Sequence, residues 1–324
     1  MQRRLYLQLA ATLLPLAANR ASAAAADDYP TRPISLVAPF TAGGALDLIA
    51  RTMAQKLQAQ FGQPVVVDNR AGAAGIIGTA YVARSNPDGY TLVLGATTTH
   101  GIDPVLYRKL QYDVNKDFEP VSLVAKIPHM IVVNPNLPVN TLQDLFKLAG
   151  QRRLTFGSAG TGSPHHLAGE LLKSQYKLDM QHVPYKGSAP AMTAVMSGEV
   201  DFMSVEVTAA LPYVKAGKLK PIAIASARRV PGIDLPTFAE QGVPNFEITA
   251  WYAIFAPKGT PQRVVAKLSQ ALAKACTDDD VKQRFATLGA TPIGSTPTEL
   301  NEWVQTELTR WGHAIKASGT PLVD

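Results

Sequence analysis

Three glycine-rich stretches carry the residues whose types and spacing suit the binding of a small anion. They are 39–44 (PFTAGG, the first loop), 157–164 (GSAGTGSP, the second loop) and 185–190 (YKGSAP, the third loop). Each precedes a segment with helical periodicity, so its backbone amides lie at a helix N-terminus, where the partial charge is positive. Because no arginine lies in these loops, a carboxylate bound there would be held by amides and hydroxyls. The pattern favours recognition of an organic acid.

Polar side chains add donors and acceptors to these loops. Asp47 lies in the first turn of the helix after the first loop, where its carboxylate either compensates the helix dipole, fixes the loop or meets a donor on the ligand. In the second loop Ser163 is typical of an N-cap and Pro164 of the first helical position. Ser158 and Thr161 supply further hydroxyl donors. We therefore expect the two loops to grip one carboxylate between them.

The motifs of several enzyme classes are missing. Neither Ser158 nor Ser163 has a glycine two positions before it, so neither fits the G-x-S-x-G nucleophile elbow. Gly72, Gly75 and Gly78 are spaced by three, which is not the dinucleotide-binding G-x-G-x-x-G. No G-K-[ST] closes a phosphate-binding loop. We predict a binding protein with no cofactor, and not an enzyme.

The histidines and the single cysteine do not form a metal-binding pattern. No H-E-x-x-H or i,i+4 pair of histidines occurs, and the adjacent His165 and His166 point about 100° apart on a helix. His166 is interpreted as a hydrogen-bonding residue at the wall of a cleft. Cys276 is the only cysteine, which excludes an intramolecular disulfide and a cysteine-based metal site. We predict no metal.

Composition and charge point to an ordinary two-domain globular protein. The chain has 324 residues, 46% of them hydrophobic and 17% charged, which excludes an intrinsically disordered chain. Three of its 31 basic residues and none of its 25 acidic ones lie in residues 1–26, so the net charge of +6 falls to +3 without that segment. No cluster of lysine and arginine with interleaved aromatics occurs, and we predict no nucleic-acid partner.

The first 26 residues have the pattern of a secretory signal peptide. Arg3 and Arg4 precede an apolar run over 5–18, which is too short to span a bilayer, and small residues follow over 21–26. Paired arginines leave both the general and the twin-arginine export routes open. We expect residues 1–26 to be removed on export.

The elements that position the three loops follow an alternating order. Strands are predicted over 34–40, 65–67, 91–96, 154–157, 200–204 and 221–225, and helices over 45–61, 76–84, 164–176, 189–196, 263–288 and 298–317. Long extended stretches over 121–133 and 248–256 separate two units, so the chain crosses between them twice. This predicts an α/β fold of two doubly wound domains. Domain one comprises 30–124 plus 252–324, and domain two comprises 125–251.

Several motifs, taken together, resemble one family. The resemblance covers about 29–318, and its motifs are Val37-Ala38-Pro39-Phe40 with Gly43-Gly44 and Asp47, Gly62-Gln63-Pro64-Val65, Asn69-Arg70, Pro87-Asp88-Gly89-Tyr90, Ser158 to Ser163 with His166-Leu167, His182-Val183-Pro184-Tyr185-Lys186-Gly187, and Gly259-Thr260-Pro261. On these motifs the chain resembles the receptors of tripartite tricarboxylate transporters, the Bug family.

The resemblance implies a periplasmic solute-binding receptor. Its fold would be a type II-like periplasmic binding protein, with two α/β domains joined by a two-strand hinge and a ligand cleft between them. It would act as a monomer that closes on a small organic carboxylate and delivers it to the large and small subunits of a membrane permease. The ligand-binding residues that we predict are Phe40, Gly43, Gly44, Asp47, Ala74, Gly75, Thr98, Ser158, Thr161, Ser163, His166, Tyr185 and Glu206.

Departures from the family pattern bear on the ligand. Leu46 replaces a frequent small hydroxyl residue, and the Phe-Asp pair that the family often has around Ser204-Val205-Glu206 is lost here. Leu46 and Val205 would make the cleft less polar if they line it. Glu206 either accepts from an amine or hydroxyl on the ligand or caps the next helix. An aromatic or medium-chain carboxylic or dicarboxylic acid would suit such a cleft. The alternative function is a ligand sensor that presents its closed form to a membrane signalling partner.

Overall fold

The computed structural model describes residues 29–244 and 246–324. The predicted signal peptide over 1–26 lies outside the described residues. Within the described range, no helix combines the length and the apolar character needed to span a bilayer.

The first part of the chain forms three parallel strands with helical crossovers. Strand β1 (Ile34–Ala38) pairs in parallel with β2 (Val65–Asn69) and with β3 (Thr91–Ala96). The crossovers are helix α1 (Ala45–Phe61) and helix α2 (Ile76–Ala83). Strand β1 is apolar and buried at four of its five positions because helices cover both faces of the sheet. The predicted β-α-β-α-β order is confirmed.

Two long antiparallel strands continue the sheet. Strand β9 (Thr249–Pro257) pairs with β3, and strand β4 (Phe118–Val133) pairs with β9 from Phe118 opposite Pro257 to Pro128 opposite Thr249. The last five residues of β4 then pair with β7 (Phe202–Glu206). Strand β4 therefore belongs to both halves of the sheet, and the chain crosses between them along β4 and returns at the start of β9.

The second half repeats the parallel arrangement. Strand β5 (Leu154–Ser158) pairs in parallel with β6 (Met180–Pro184) and with β7, while β8 (Lys220–Ile224) runs antiparallel to β4. The strand order of the whole sheet is β2-β1-β3-β9-β4-β7-β5-β6. The remaining elements are a π-helical turn (Thr97–Ile102), α3 (Asp103–Leu106), α4 (Leu142–Ala149), α5 (Pro164–Tyr176), α6 (Ser188–Ser197), α7 (Val207–Lys215), α8 (Gln262–Thr277), α9 (Asp279–Thr287), β10 (Thr291–Pro292), α10 (Pro297–Ser318) and short 3-10 turns at Ala73–Gly75 and Ala239–Gln241.

The C-terminal helix α10 contributes to the cores of both halves. Leu300 packs in the cluster that covers one face of the first half, whereas Trp311 and Ile315 pack in the core of the second half. Between them, the buried Glu307 accepts hydrogen bonds from the indole N–H of Trp251 at 2.8 Å and of Trp311 at 3.0 Å. The predicted division assigns all of 252–324 to domain one and does not anticipate this packing; the domain boundaries stay a prediction.

Candidate functional site

A cleft of about 430 Å³ opens where the two halves of the sheet meet. Its wall includes the ends of β1 and β3, the first turns of several helices and the start of β9. The lining residues are Phe40, Thr41, Gly44, Ala45, Leu46, Ala96, Thr97, Thr98, Pro164, Ser188, Glu206, Ala250, Trp251 and Tyr252. The set draws on both halves, so a ligand held there would contact both.

Four helices of eight or more residues present their N-termini to this cleft. Gly44 precedes α1, Pro164 and Ser188 begin α5 and α6, and Glu206 precedes α7. In the described chain no side chain caps α1, α6 or α7, whereas Ser163 caps α5. Uncapped first-turn amides are donors that seek an acceptor, and each helix terminus adds a partial positive charge. No lysine or arginine is among the described lining residues, so the attraction for an anion comes from the backbone.

The first loop is held in shape by the buried Asp47. Its carboxylate accepts from the Gly43 N–H, from Arg51 Nε and from Asn69 Nδ2, each at 3.0 Å. Asn69 Nδ2 also donates to the Phe40 carbonyl at 3.2 Å. Burial acts to raise the pKa of Asp47, but the hydrogen bonds from Arg51 and Gly43 outweigh it, so the pKa lies below its usual value. Asp47 lies beneath the loop and is not among the lining residues.

Gly44 and Phe40 are the predicted first-loop residues that line the cleft. Gly44 has an ordinary φ of −81°, and a Cβ placed on it would meet no described atom within 4 Å. Phe40 rests on Gly75, where a Cβ would come within 3.0 Å of the phenyl ring and 2.7 Å of Thr99 Cγ2. Gly75 is therefore a support for Phe40. The neighbouring Ala74 is exposed. Neither Gly75 nor Ala74 lines the cleft.

The second loop uses its serine hydroxyls internally. Ser158 Oγ lies 2.6 Å from His182 Nε2 and accepts the Gly160 N–H at 3.0 Å. Ser163 Oγ donates to the Gly160 carbonyl at 2.6 Å and accepts the N–H of His166 at 3.3 Å, which caps α5. Thr161 is exposed and, like both serines, is not among the lining residues. The structure therefore does not bring these three predicted residues into the cleft.

His166 and Tyr185 also point to partners outside the cleft. His166 Nδ1 accepts the Gly162 N–H at 3.1 Å, and its ring centroid lies 3.9 Å from that of His182. Burial lowers the pKa of both His166 and His182 to about 4, so both rings are neutral at pH 7. The Tyr185 hydroxyl donates to Glu199 at 2.8 Å, and burial together with Glu199 raises its pKa to about 12.

Glu206 lines the cleft. It occupies the N-cap position of α7, yet it makes no side-chain cap, so the interpretation that it caps that helix is wrong. Its Oε2 lies 2.9 Å from His165 Nε2, and its Oε1 lies 3.6 Å from His129 Nε2. Burial alone would raise the pKa of Glu206, but the two histidines lower it by more than burial raises it, so the pKa lies well below its usual value.

Several lining residues lie outside the predicted set. Ser188 belongs to the third loop, whose glycine and serine before a helix were the signal that could have included it. Tyr252 and Trp251 come from β9. The backbone N–H of Trp251 donates to Thr97 Oγ1 at 2.8 Å, which joins β9 to the end of β3. Their only sequence signal is a pair of aromatics in a crossing strand. Thr98, which was predicted, lines the cleft.

The two departures predicted to reduce polarity differ in the structure. Leu46 lines the cleft, whereas Val205 is fully buried in a core cluster of the second half and lies away from the lining. Of these two residues, only Leu46 therefore makes the cleft less polar.

Comparison with known proteins agrees with this architecture. The family described as "Tripartite tricarboxylate transporter family receptor" matches residues 49–320. BugT of Bordetella pertussis is 36% identical over 309 residues, which is 94% of this chain and 95% of that protein.

Two solved structures from Rhodopseudomonas palustris carry ligands. A protein from R. palustris with adipate is 38% identical, has a TM-score of 0.78, and aligns over 91% of this chain and 100% of its own. MatC, with bound malate, is 35% identical, has a TM-score of 0.72, and aligns over 89% of this chain and 100% of its own.

Proposed function

The chain belongs to the tripartite tricarboxylate transporter receptor family of periplasmic binding proteins, and we propose that it captures a small organic carboxylate in the cleft and passes it to the large and small subunits of a membrane permease. In this proposal residues 1–26 direct export to the periplasm and the mature receptor acts as a monomer.

The convergence of helix N-termini is the observation that carries the carboxylate assignment. The termini of α1 and α6 are uncapped, and both contribute lining residues, Gly44 and Ser188. A hydrogen bond from an amide to a charged acceptor contributes about 1.5–3 kcal/mol. A carboxylate can accept several such bonds at once, since its two oxygens together offer about four lone-pair sites. Neutral ligands such as sugars would leave this positive potential uncompensated.

Apolar and aromatic side chains support an aromatic or medium-chain acid, whether carboxylic or dicarboxylic. Phe40, Leu46, Trp251 and Tyr252 lie in the wall of the cleft. Ligand sites of this kind combine an apolar lining with a few convergent polar groups. The R. palustris relative with adipate, a six-carbon dicarboxylate, has a ligand of this size class.

Closure between the halves would complete the site. The lining combines residues on the first half with Pro164, Ser188 and Glu206 on the second, and among the described strands β4 and the start of β9 connect the two sheet portions directly. A ligand that contacts both halves would therefore favour the closed arrangement. The closed receptor would be the form that the permease binds.

A thermal-shift screen of the mature protein against mono- and dicarboxylates tests the proposal. An acid present at about 100 times its Kd should stabilise the native state by about 2.7 kcal/mol and raise Tm. Calorimetric titration should then give one ligand per chain. If an amine or a sugar raises Tm while no carboxylate does, the carboxylate assignment is overturned.

Delivery to a permease is tested separately. The purified membrane subunits reconstituted in vesicles should take up the acid only when the loaded receptor is added. Uptake at the same rate without the receptor would overturn the transport role while leaving the binding result intact.

A further inference from the structure

Glu206 is the only residue with a formal charge among the described residues that line the cleft. Its side chain retains 23% exposure, so a ligand in the cleft can reach it. The remaining lining side chains are neutral. Among the lining side chains, this carboxylate is therefore the one whose charge would attract or repel a charged group on a ligand.

Three elements fix the position of the Glu206 carboxylate. Glu206 ends β7, His165 lies in the first turn of α5 and His129 lies in β4. His165 Nε2 contacts Oε2 at 2.9 Å, and His129 Nε2 approaches Oε1 at 3.6 Å while its Nδ1 lies 3.1 Å from Ser204 Oγ. Both histidines are buried, and burial keeps the pKa of His129 below its usual value, which favours its neutral form. The cluster thus holds the Glu206 carboxylate, whose pKa lies well below its usual value, in one position at the cleft.

Tyr252 also lines the cleft. Burial, together with the negative charge of Glu206, raises the pKa of Tyr252, so its O–H stays protonated. The lining of the cleft therefore includes both an ionised acceptor, Glu206, and a residue with a neutral hydroxyl, Tyr252. The uncapped termini of α1 and α6, by contrast, offer only donors.

Glu206 and the uncapped helix termini favour different groups on a ligand. A carboxylate suits the uncapped helix termini, but a second carboxylate near Glu206 would meet a like charge in a partly desolvated cleft, which is unfavourable. A hydroxyl or an ammonium group can donate to Glu206, and a charge-assisted hydrogen bond is stronger than a neutral one.

We propose that Glu206 is a specificity-determining residue that selects organic acids carrying a hydrogen-bond donor in addition to the carboxylate, and that disfavours acids with a second carboxylate. This inference rests on the proposed carboxylate-binding function. It narrows the ligand class to hydroxy and amino acids of medium length.

Four six-carbon probes that differ only at one end test the proposal by calorimetry at pH 7. They are 6-aminohexanoate, 6-hydroxyhexanoate, hexanoate and adipate. We expect affinity to fall in that order, with the amino acid bound about tenfold or more above adipate, because one charge-assisted hydrogen bond replaces one like-charge contact.

The variant Glu206→Gln keeps the size of the side chain and removes its charge. It should cut the preference for 6-aminohexanoate over adipate about tenfold, mainly by improving the binding of adipate. Glu199→Gln is the matched control, since Glu199 is an exposed carboxylate bonded to Tyr185 outside the cleft, and it should leave the ratio unchanged. The ratio of two affinities is insensitive to a general loss of folded protein.

The outcomes separate the two proposals. If none of the four probes binds the native protein, the carboxylate-binding function fails for this size class, and the inference fails with it. If hexanoate binds but the native protein prefers adipate, or if Glu206→Gln leaves the order unchanged, the inference alone is overturned. Should Glu206→Gln lower the melting temperature of the unliganded protein, His165→Gln provides a second test, because it loosens the carboxylate and should weaken the same ratio.

Discussion

The first loop (39–44) and the second loop (157–164) both lead from a parallel strand into a helix, and both are rich in glycine and hydroxyl residues. They differ in where their polar groups go. In the first loop Asp47 holds the loop backbone from beneath, and the N-terminus of α1 stays uncapped at the cleft. In the second loop Ser158 and Ser163 bond within the loop, and Ser163 also caps the terminus of α5. An open helix end is available to a ligand, whereas a capped one is part of the scaffold.

Blocking the open end should have the largest effect. Gly44→Val places a branched side chain where the ligand would approach the amides of α1, and the cost of one lost hydrogen bond to a charged acceptor is about 1.5–3 kcal/mol, or roughly 10- to 150-fold in Kd. Calorimetry with the best acid from the screen measures it. Because nothing described lies within 4 Å of the added Cβ, the unliganded protein should keep its Tm within a few degrees.

Gly44→Ala gives a graded version of this test. Gly312→Ala in α10 is its control, since Gly312 lies outside the cleft lining and its added Cβ would make only an ordinary contact with Val105. An unchanged Kd in Gly44→Val would remove the first loop from the site and end the contrast between the loops.

Removing the support of the first loop should have the next largest effect. In Asp47→Asn the amide cannot accept from Gly43, Arg51 and Asn69 together, and an unpaired buried donor costs about 1–3 kcal/mol. Urea unfolding measures the loss. A change below about 0.5 kcal/mol would mean that the loop holds its shape without Asp47.

The same support should depend on pH. The pKa of Asp47 is lowered by folding, so its stabilising contribution is present above the unfolded value of about 3.9 and is lost as pH falls through the lower folded value. The difference in unfolding free energy between the native protein and Asp47→Asn should therefore be constant from pH 5 to 7 and shrink below about pH 4. A difference that grows on acidification would contradict the hydrogen-bonded carboxylate.

Removing a cap from the second loop should cost stability without much effect on binding. Ser163→Ala loses the α5 cap, at about 1 kcal/mol, and the Kd should change less than about threefold. Thr296→Ala is the matched control, because Thr296 caps α10 away from the cleft lining. If Ser163→Ala weakens binding tenfold while Thr296→Ala does not, the second loop contacts the ligand after all.

Thr161→Ala should have the smallest effect. Thr161 is exposed on the second loop, and surface substitutions usually change stability within about 0.5 kcal/mol. The Kd should stay within about twofold. A fivefold loss would show that the second loop moves onto the ligand when the protein closes.

The fold was predictable where local sequence decides it. Helix α1 has the predicted bounds because Gly44 and Gly62 flank one amphipathic period, and Gly62 takes the left-handed conformation (φ 68°) that ends the helix. Helix α7 was missed because Pro212 lies inside it. Strand β6 was missed because its polar residues, such as His182, interrupt the apolar run. The predicted helix over 263–288 is two helices, since Asp278 is extended and separates α8 from α9.

The site was less predictable, because partners distant in the sequence decide which loop groups face the cleft. Asp47 is drawn beneath the first loop partly by Asn69, 22 positions away, and Ser158 is held by His182, 24 positions away. The residue types in the loops were informative, but their orientation was not. The position of the Glu206 carboxylate likewise depends on His165 in the first turn of α5, a contact that spans 41 positions.

Helix α10 gives the two halves a third connection besides β4 and β9. Two adjacent strands form a flexible connection, which can both bend and twist. Helix α10 is stiff and packs against both halves, and midway along it the Glu307 carboxylate joins the Trp251 and Trp311 indoles. The helix therefore resists twisting between the halves and leaves bending as the softer motion. The two halves would therefore open and close about one axis, so that the uncapped helix termini return to the same alignment in each cycle of ligand capture and release.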